Sequence, residues 1–261
     1  MDVTTTGYVF DNHSLHAAEQ HRCLAAAHDP ATFARLAQTG VRKGWRCLEV
    51  GAGGGSVAHW LALRSGSVLA TDVKPDHVAP APGLTVTRHD VVRDPLPEGE
   101  FDLVHARLVL QHLPEREAVL RKLVRALRPG GWLQLDEYDK TYGPVLLAPD
   151  DESARLYGKF LAAKERVFAE AGSDGAWGRR AAAAMVAAGL VEVDPVPVVH
   201  PWRPDSPGVR LLVGLTHQLR DRLVAAGLTD DDLRRVREVL SHPGFRACSS
   251  VFYSVQGRRP A

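Results

Sequence analysis

Nine residues, Leu48-Glu49-Val50-Gly51-Ala52-Gly53-Gly54-Gly55-Ser56, constrain this chain more than any other stretch. Arg46 to Val50 is short, apolar and bounded by Gly44, the pattern of a buried parallel strand. Behind it, Val57, Trp60, Leu61 and Leu63 recur at roughly helical spacing, so a helix opens at about Ser56. The stretch therefore reads strand, glycine turn, helix. Glycines serve a turn of positive φ and let a ligand approach the backbone with no Cβ in the way. The free N–H groups of the following helix favour a carboxylate or phosphate over the turn.

Spacing selects among ligands. A dinucleotide fold wants G-x-G-x-x-G, its third glycine letting helix pack on strand. Here that position is Ser56, and the glycines fall at Gly51, Gly53 and Gly55, with Glu49 two residues ahead of the first. A plain tight turn would also accept such a run. The E-x-G-x-G-x-G pattern at the end of a first strand resembles the first motif of the class I S-adenosylmethionine-dependent methyltransferases.

The residues downstream extend the pattern. Val68 to Asp72 is an apolar run ending in an acid about 20 residues past the turn, where a carboxylate can accept two ribose hydroxyls or cap the next helix. Thr85 to His89 alternates like a third strand and ends at Asp90-Val91; Asp90 could also cap a turn. Phe101 to Ala106 is a fourth strand, continuing into Arg107 to Leu113. Pro114 to Arg128 is punctuated as a helix, with Pro114 at its start, Glu115 and Glu117 in its first turn, and Arg125 and Arg128 in its last. Pro129-Gly130-Gly131 stops it ahead of a fifth strand, Trp132 to Asp136.

Phe101 to Asp136 resembles the second half of the same methyltransferase core. The resemblance implies a Rossmann-like α/β fold: a seven-stranded, mostly parallel sheet with helices on both faces. It implies S-adenosyl-L-methionine as cofactor, bound by Glu49, Gly51, Ala52, Gly53, Asp72, Val73, Asp90, Val91, Ala106 and Arg107. In such proteins Asp90 would meet the adenine amino group and the next N–H its ring nitrogen.

The flanks lie outside the resemblance. Residues 1–45 are expected to form two helices, Ser14 to Ala27 and Asp29 to Gly40, the second with Asp29 as N-cap and Pro30 at its first position. Tyr8, His13, His16, Glu19 and Arg22 are either solvated helix positions or part of a lid over the cofactor, Arg22 and Tyr8 facing its amino acid moiety. Residues 46–140 form the cofactor core and 141–188 cap and outer helices. Residues 189–261 carry two C-terminal strands with inserted helices, Ser206 to about Ala226 and Asp230 to about Ser241.

Composition narrows the partners. With 261 residues, 45% apolar, the chain can bury a sizeable core as one compact domain. A formal charge of +1 with no long basic run disfavours nucleic acid and anionic membrane, and nothing argues against a homodimer. Cys23, Cys47 and Cys248 are odd in number and share no metal-ligand spacing, so a reducing cytoplasm is expected and no metal is. Met1 to Phe10 has no basic stretch followed by an apolar one, and no 18-residue apolar run occurs, so neither a signal peptide nor a membrane span is expected.

Methyl transfer from a sulfonium is an in-line displacement in which positioning contributes roughly 7–11 kcal/mol. A hydroxyl or ammonium nucleophile must also lose a proton. The pocket of a doubly wound sheet lies beyond the carboxyl ends of its strands, which restricts the candidates to Arg107, Gln111 and His112 after the fourth strand, Glu137, Tyr138, Asp139 and Tyr142 after the fifth, and Tyr8, His13, Tyr157 and His217 on the lids. The resemblance implies His112 as base, because the loop after the fourth strand runs beneath the transferable methyl in that family, with Glu137 or Tyr138 to orient substrate. Each could instead only shape the pocket or edge a turn. The reading is methyl transfer to an O, N or C atom of a small molecule of bacterial specialised metabolism. Its rivals are a cofactor-binding protein of this fold with a non-methylating reaction, and an NAD(P)-dependent oxidoreductase.

Overall fold

The computed structural model describes residues 17–261. Its first element, α1 (Ala17–Gln38), is a single helix where the sequence predicts two that meet at Asp29. Pro30 inside it removes one backbone hydrogen bond, a loss on the order of 3 kcal/mol. Tertiary contacts carry the helix through. Asp29 is no cap: its Oδ1 accepts from Arg107 Nη1 at 2.8 Å and from Ser56 Oγ at 3.0 Å. Past Pro30, Thr32 and Leu36 are fully buried. Gly40, at φ +79°, sits just beyond the helix end, as its sequence position suggests.

The next elements are β1 (Cys47–Val50), α2 (Ser56–Ser65), β2 (Val68–Asp72), β3 (Leu84–Arg88) and β4 (Phe101–Arg107). They come in the expected order. α3 (Arg116–Ala126) starts two residues later than Pro114, and β5 (Leu127–Asp139) starts earlier than Trp132. The Pro-Gly-Gly sequence ends the helix but lies inside the strand as an irregularity. Phe101 pairs with Leu127 and Leu103 with Trp132, and Gly130 takes φ +75° in the slipped stretch.

The rest of the chain is β6 (Val145–Leu147), α4 (Asp151–Glu170), α5 (Trp177–Ala187), β7 (Val191–Val198) and β8 (Pro201–Trp202), followed by α6 (Pro207–Gln218) and α7 (Arg220–Ala225), then α8 (Asp230–Ser241), β9 (Arg246–Cys248) and β10 (Val251–Arg258). The helix expected over 206–226 is thus two, broken at Leu219.

The main sheet runs β3-β2-β1-β4-β5-β10-β7, with β10 antiparallel to both neighbours and the other pairs parallel. This is the seven-stranded Rossmann-like sheet anticipated above. Strand order reverses between β1 and β4, the switch point where such sheets bind ligands. Side chains alternate between faces. Leu48, Val50, Val104, Leu133 and Leu135 pack under α3 and α5 in one apolar core. Cys47 and Leu103 face α1 and α2 with Leu36 and Leu61. On that second face the middle of the sheet turns polar: Glu49, His105, Gln134 and Gln256 stand side by side in register across four strands.

A second core lies outside the sheet. Tyr157 and Phe160 of α4 pack with Leu212 of α6, Leu223 of α7, Leu240 of α8 and Phe245. The two insertions, one after β5 and one between β7 and β10, therefore meet as one cap. A small sheet, β6-β9-β8, ties them together. Thr229 closes the start of α8 with a capping box to Asp232, an arrangement worth about 1 kcal/mol.

Candidate active site

The glycine turn has the conformation its residues require. Gly51, Gly53 and Gly55 take φ of +68°, +53° and +80°. A Cβ on Gly51 would collide with a Val109 methyl, and one on Gly54 would stand 2.8 Å from His21 Cβ. The turn is thus pressed between the loop after β4 and helix α1. Ser56 opens α2, and its hydroxyl donates to Asp29. A third glycine could not make that tie to α1.

Asp72 ends β2 with its carboxylate turned back on the turn. Oδ2 accepts the Gly53 N–H at 2.9 Å and Oδ1 the Lys74 N–H at 2.9 Å. At the end of β3, Asp90 Oδ1 accepts the Val92 N–H at 2.9 Å, while Oδ2 stands 3.6 Å from Arg93 Nε. Both acids line one cavity of 690 Å³ at the carboxyl ends of the strands. Gly51, Ala52, Gly53, Val73 and Val91 line it too, as do Glu49, Arg107 and His112. Residues 18–25 of α1 run along its side, and α6 closes it from the cap with Arg210, Leu212 and Leu215.

Under the turn lies a buried polar seam. Glu49 Oε2 is 2.6 Å from His105 Nδ1, and Asp136 Oδ2 is 3.2 Å from His105 Nε2. Thr32 Oγ1 donates to Asp136 at 2.6 Å, which joins α1 to the seam. Burial alone would lower the His105 pKa, but the two carboxylates outweigh it and raise it to about 9. Burial likewise pushes against the Asp136 carboxylate, yet the His105 hydrogen bond holds it below its usual range. The seam thus carries an imidazolium between two acids. Arg107 adds to it from the cavity side, pairing with Asp29 and reaching Thr32 Oγ1 at 3.3 Å.

Three expected site residues are elsewhere or otherwise engaged. Glu137 does not line the cavity. Its side chain alternates to the opposite face, where the carboxyl accepts the N–H groups of Val109, Leu110 and Gln111 at 3.3, 2.8 and 3.4 Å. It caps the short 3₁₀ turn Leu110–His112, and burial raises its pKa to about 8. A catalytic role for Glu137 is corrected to a structural one. Ala106 alternates the same way into the α3–α5 core and contributes no cavity surface. Arg22 stands at the cavity rim, 71% exposed and paired with Glu19 at 2.6 Å, too wet to be a buried carboxylate clamp. Tyr8, His13 and His16 lie outside the described residues.

The substrate end of the cavity is built from the loop after β4, the end of β5 and the cap. His112 is buried there, with its ring 5.8 Å from that of Phe168. Burial, helped by Lys140 and Arg116, lowers its pKa to about 3. It is therefore neutral near pH 7, an acceptor of hydrogen bonds but a poor sink for a proton. Tyr138 lines the cavity, and its hydroxyl shares a 2.5 Å hydrogen bond with His28 Nε2 from α1.

Sequence reasoning missed four of these side chains: His21 and His28 on α1, Lys140 just past β5, and Lys164 on α4. His28 recurs one helical turn before Thr32, which is a readable signal for a residue facing the sheet. Lys164 gave no signal, because the cavity it lines is shared with Lys140 and Trp202, which come from segments far from it in sequence.

A family model described as Methyltransferase domain matches residues 48–135. Methyltransferase str2 of Strobilurus tenacellus is 38% identical over 98 residues, 36% of this chain and 36% of that protein. Methyltransferase str3 of the same organism is 36% identical over 128 residues, 47% of this chain and 46% of that protein. The chain's match thus spans less than half the length of these curated relatives. Among solved structures, it is similar to a phosphoethanolamine N-methyltransferase 2 of Haemonchus contortus in complex with S-adenosyl-L-methionine. The TM-score is 0.58 at 14% identity, over 96% of this chain and 59% of that one, a likeness of fold.

Proposed function

We propose that this chain, whose residues 48–135 match a methyltransferase domain within a seven-stranded sheet, passes the methyl group of S-adenosyl-L-methionine to an O, N or C atom of a small molecule. One observation carries the reading. Asp72 and Asp90, at the tips of adjacent strands, flank a glycine turn at the head of a single cavity whose other end lies under a helical cap. An acid at the tip of β2 suits two ribose hydroxyls, and a turn stripped of Cβ atoms suits a ligand lying against the backbone. His21 closes over that turn from α1.

The bound cofactor supplies a methyl group already activated by its sulfonium. The residues of the chain orient, enclose and exclude water. Glu49, hydrogen-bonded to His105, stands at the cavity floor as an acceptor for an ammonium group, though burial raises its pKa. Arg107 fastens α1 over the sheet through Asp29, so the residues of α1 form the side wall in place of solvent. Residues 17–25 would act as the lid, with Glu19 and Arg22 at its rim.

At the other end, His112 and Tyr138 hold the acceptor atom. A neutral His112 takes a hydrogen bond from an acceptor hydroxyl and orients its lone pair, but with its pKa lowered to about 3 it takes up the proton poorly. An acidic nucleophile such as a phenol or enol therefore suits this site better than an aliphatic amine. Enclosed by the cap at this end, the cavity suits a small molecule, in keeping with specialised metabolism. The three unpaired cysteines fit a reducing cytoplasm. No helix among the described residues is long and apolar enough to cross a membrane.

Titration calorimetry tests the cofactor. S-adenosylhomocysteine should give heat and NADH none. Tight NADH binding with no response to S-adenosylhomocysteine would overturn the proposal in favour of hydride chemistry.

A further inference from the structure

The substrate half of the main cavity adjoins a second cavity of 340 Å³, and Lys140, Lys164, Trp202 and Ser250 line both. Two ammonium groups therefore stand on the partition. Lys140 Nζ lies 4.2 Å from the Phe168 ring centre and 3.5 Å from Ser173 Oγ; among the described residues no carboxylate comes within ion-pair distance of it, and Glu165 acts on it only through space. Lys164 is 8% exposed, with Nζ 3.3 Å from Glu165 Oε1. Two cations share one acid here. One positive charge is left over in a place with little water.

Deeper in the second cavity, Tyr157 is 2% exposed, and its hydroxyl has no hydrogen-bond partner among the described residues. Its ring packs edge-on against Phe245 with centres 5.2 Å apart, a contact that a phenylalanine would make equally well. Nothing in the packing calls for that hydroxyl or for the second ammonium. Buried polar groups left without partners destabilise a fold, so their presence in a cavity wall points to a ligand that completes them. The remaining wall is mixed: Leu161, Pro144 and the Trp202 face supply apolar surface for a stem, beside Thr141, Cys248, Ser250 and the Glu165 carboxylate, whose charge Lys164 meets.

From this cluster we infer that the second cavity is a distal subsite for the acceptor molecule, and that it takes a carboxylate borne on a hydrophobic stem. The carboxylate lies between Lys140 and Lys164 and accepts a hydrogen bond from the Tyr157 hydroxyl. Its single charge matches the single surplus; a phosphate would bring two. The volume is of ligand scale. The assignment rests on the methyl-transfer reading only for which end of the acceptor is which: the reacting atom stays beside His112 and Tyr138, and the acid reaches to the lysines.

The experiment compares para-hydroxybenzoic, para-hydroxyphenylpropionic and hydroxynaphthoic acids with their methyl esters by calorimetry, without cofactor. At least one acid should bind roughly 10- to 100-fold more tightly than its ester, the range of a charge-assisted hydrogen bond. Lys140→Met should abolish that preference. Tyr157→Phe, which keeps the packing, should reduce it several-fold with no fall in melting temperature. Acids that never outbind their esters, or a preference that survives both variants, would overturn the subsite. Cofactor binding is measured separately on the same proteins, so loss of the acid preference strikes the subsite, and absence of S-adenosylhomocysteine binding strikes the methyl-transfer reading.

Discussion

The Glu137 carboxyl accepts the Leu110 N–H at 2.8 Å, so the end of β5 sets the turn that presents Gln111 and His112 to the cavity. The residue that sequence position offered as a catalytic acid is thus a splint for its neighbour. The buried carboxyl satisfies backbone donors that no other group among the described residues reaches.

The first prediction follows from that splint. Glu137→Gln keeps an acceptor oxygen for the turn, and we expect stability near pH 6 to change by about 1 kcal/mol or less. Glu137→Ala strands the N–H groups and should cost about 2–4 kcal/mol. Because burial raises the folded pKa to about 8 from 4.5, the protein binds more protons folded than unfolded between those values. The carboxyl's contribution is full below the unfolded value and is lost as pH rises toward 8. Glu137→Gln should flatten that decline in thermal melts. Loss of turnover in Glu137→Gln with unchanged melting and unchanged acceptor binding would return Glu137 to the chemistry.

His105 gives a second pH dependence. Its folded pKa of about 9 lies above its ordinary 6.5, so its stabilising charge is fully present below 6.5 and lost as pH climbs to 9. Urea unfolding of the parent should therefore show stability falling over that window. His105→Asn should remove the His105 share of the slope and leave Glu49 and Asp136 facing each other, costing about 3–5 kcal/mol at neutral pH. A parent profile flat from pH 6.5 to 9 would mean that the seam holds a neutral imidazole.

Asp72 separates ligand binding from folding. Asp72→Ala should weaken S-adenosylhomocysteine binding by about 1.5–3 kcal/mol, or roughly 10- to 150-fold. Asp72→Asn should lose less, because one amide oxygen can still accept the Gly53 N–H. Circular dichroism should stay unchanged in both. An unaltered dissociation constant in Asp72→Ala would reduce the residue to a brace for the turn.

The contact between His21 and Gly54 tests whether α1 is part of the cofactor site. A Cβ at Gly54 would lie 2.8 Å from His21 Cβ, so Gly54→Ala must push α1 off the turn. We expect cofactor affinity to fall about tenfold or more while the sheet remains folded, an effect of over 1.4 kcal/mol. His21→Gly in the same chain should restore much of it, a coupling read from the double-mutant cycle. Independent, additive effects would show that α1 only packs.

The sequence by itself determined the parallel core. β1, α2, β2 and β4 are fixed by local patterns: apolar runs of strand length, a helical stripe, and glycines where φ must be positive. Those signals lie within a few residues of the feature they specify, so they can be read one at a time. Asp72 and Asp90 were legible for the same reason, each being the acid that ends a strand. Tertiary structure decided the rest. Asp29 and Pro30 have the local signature of a helix start, yet Arg107 and Ser56, 78 and 27 residues away, recruit Asp29 and the helix runs on. Glu137 and Ala106 looked like site residues because they end strands, but the two-residue alternation of a strand turned both from the cavity. The cap unites two insertions far apart in sequence, so only the folded chain brings Lys140, Tyr157 and Lys164 round one cavity. Burial then set their chemistry. The pKa of His112, about 3 rather than 6.5, comes from removal of water and from Lys140 and Arg116, which no spacing in the sequence encodes.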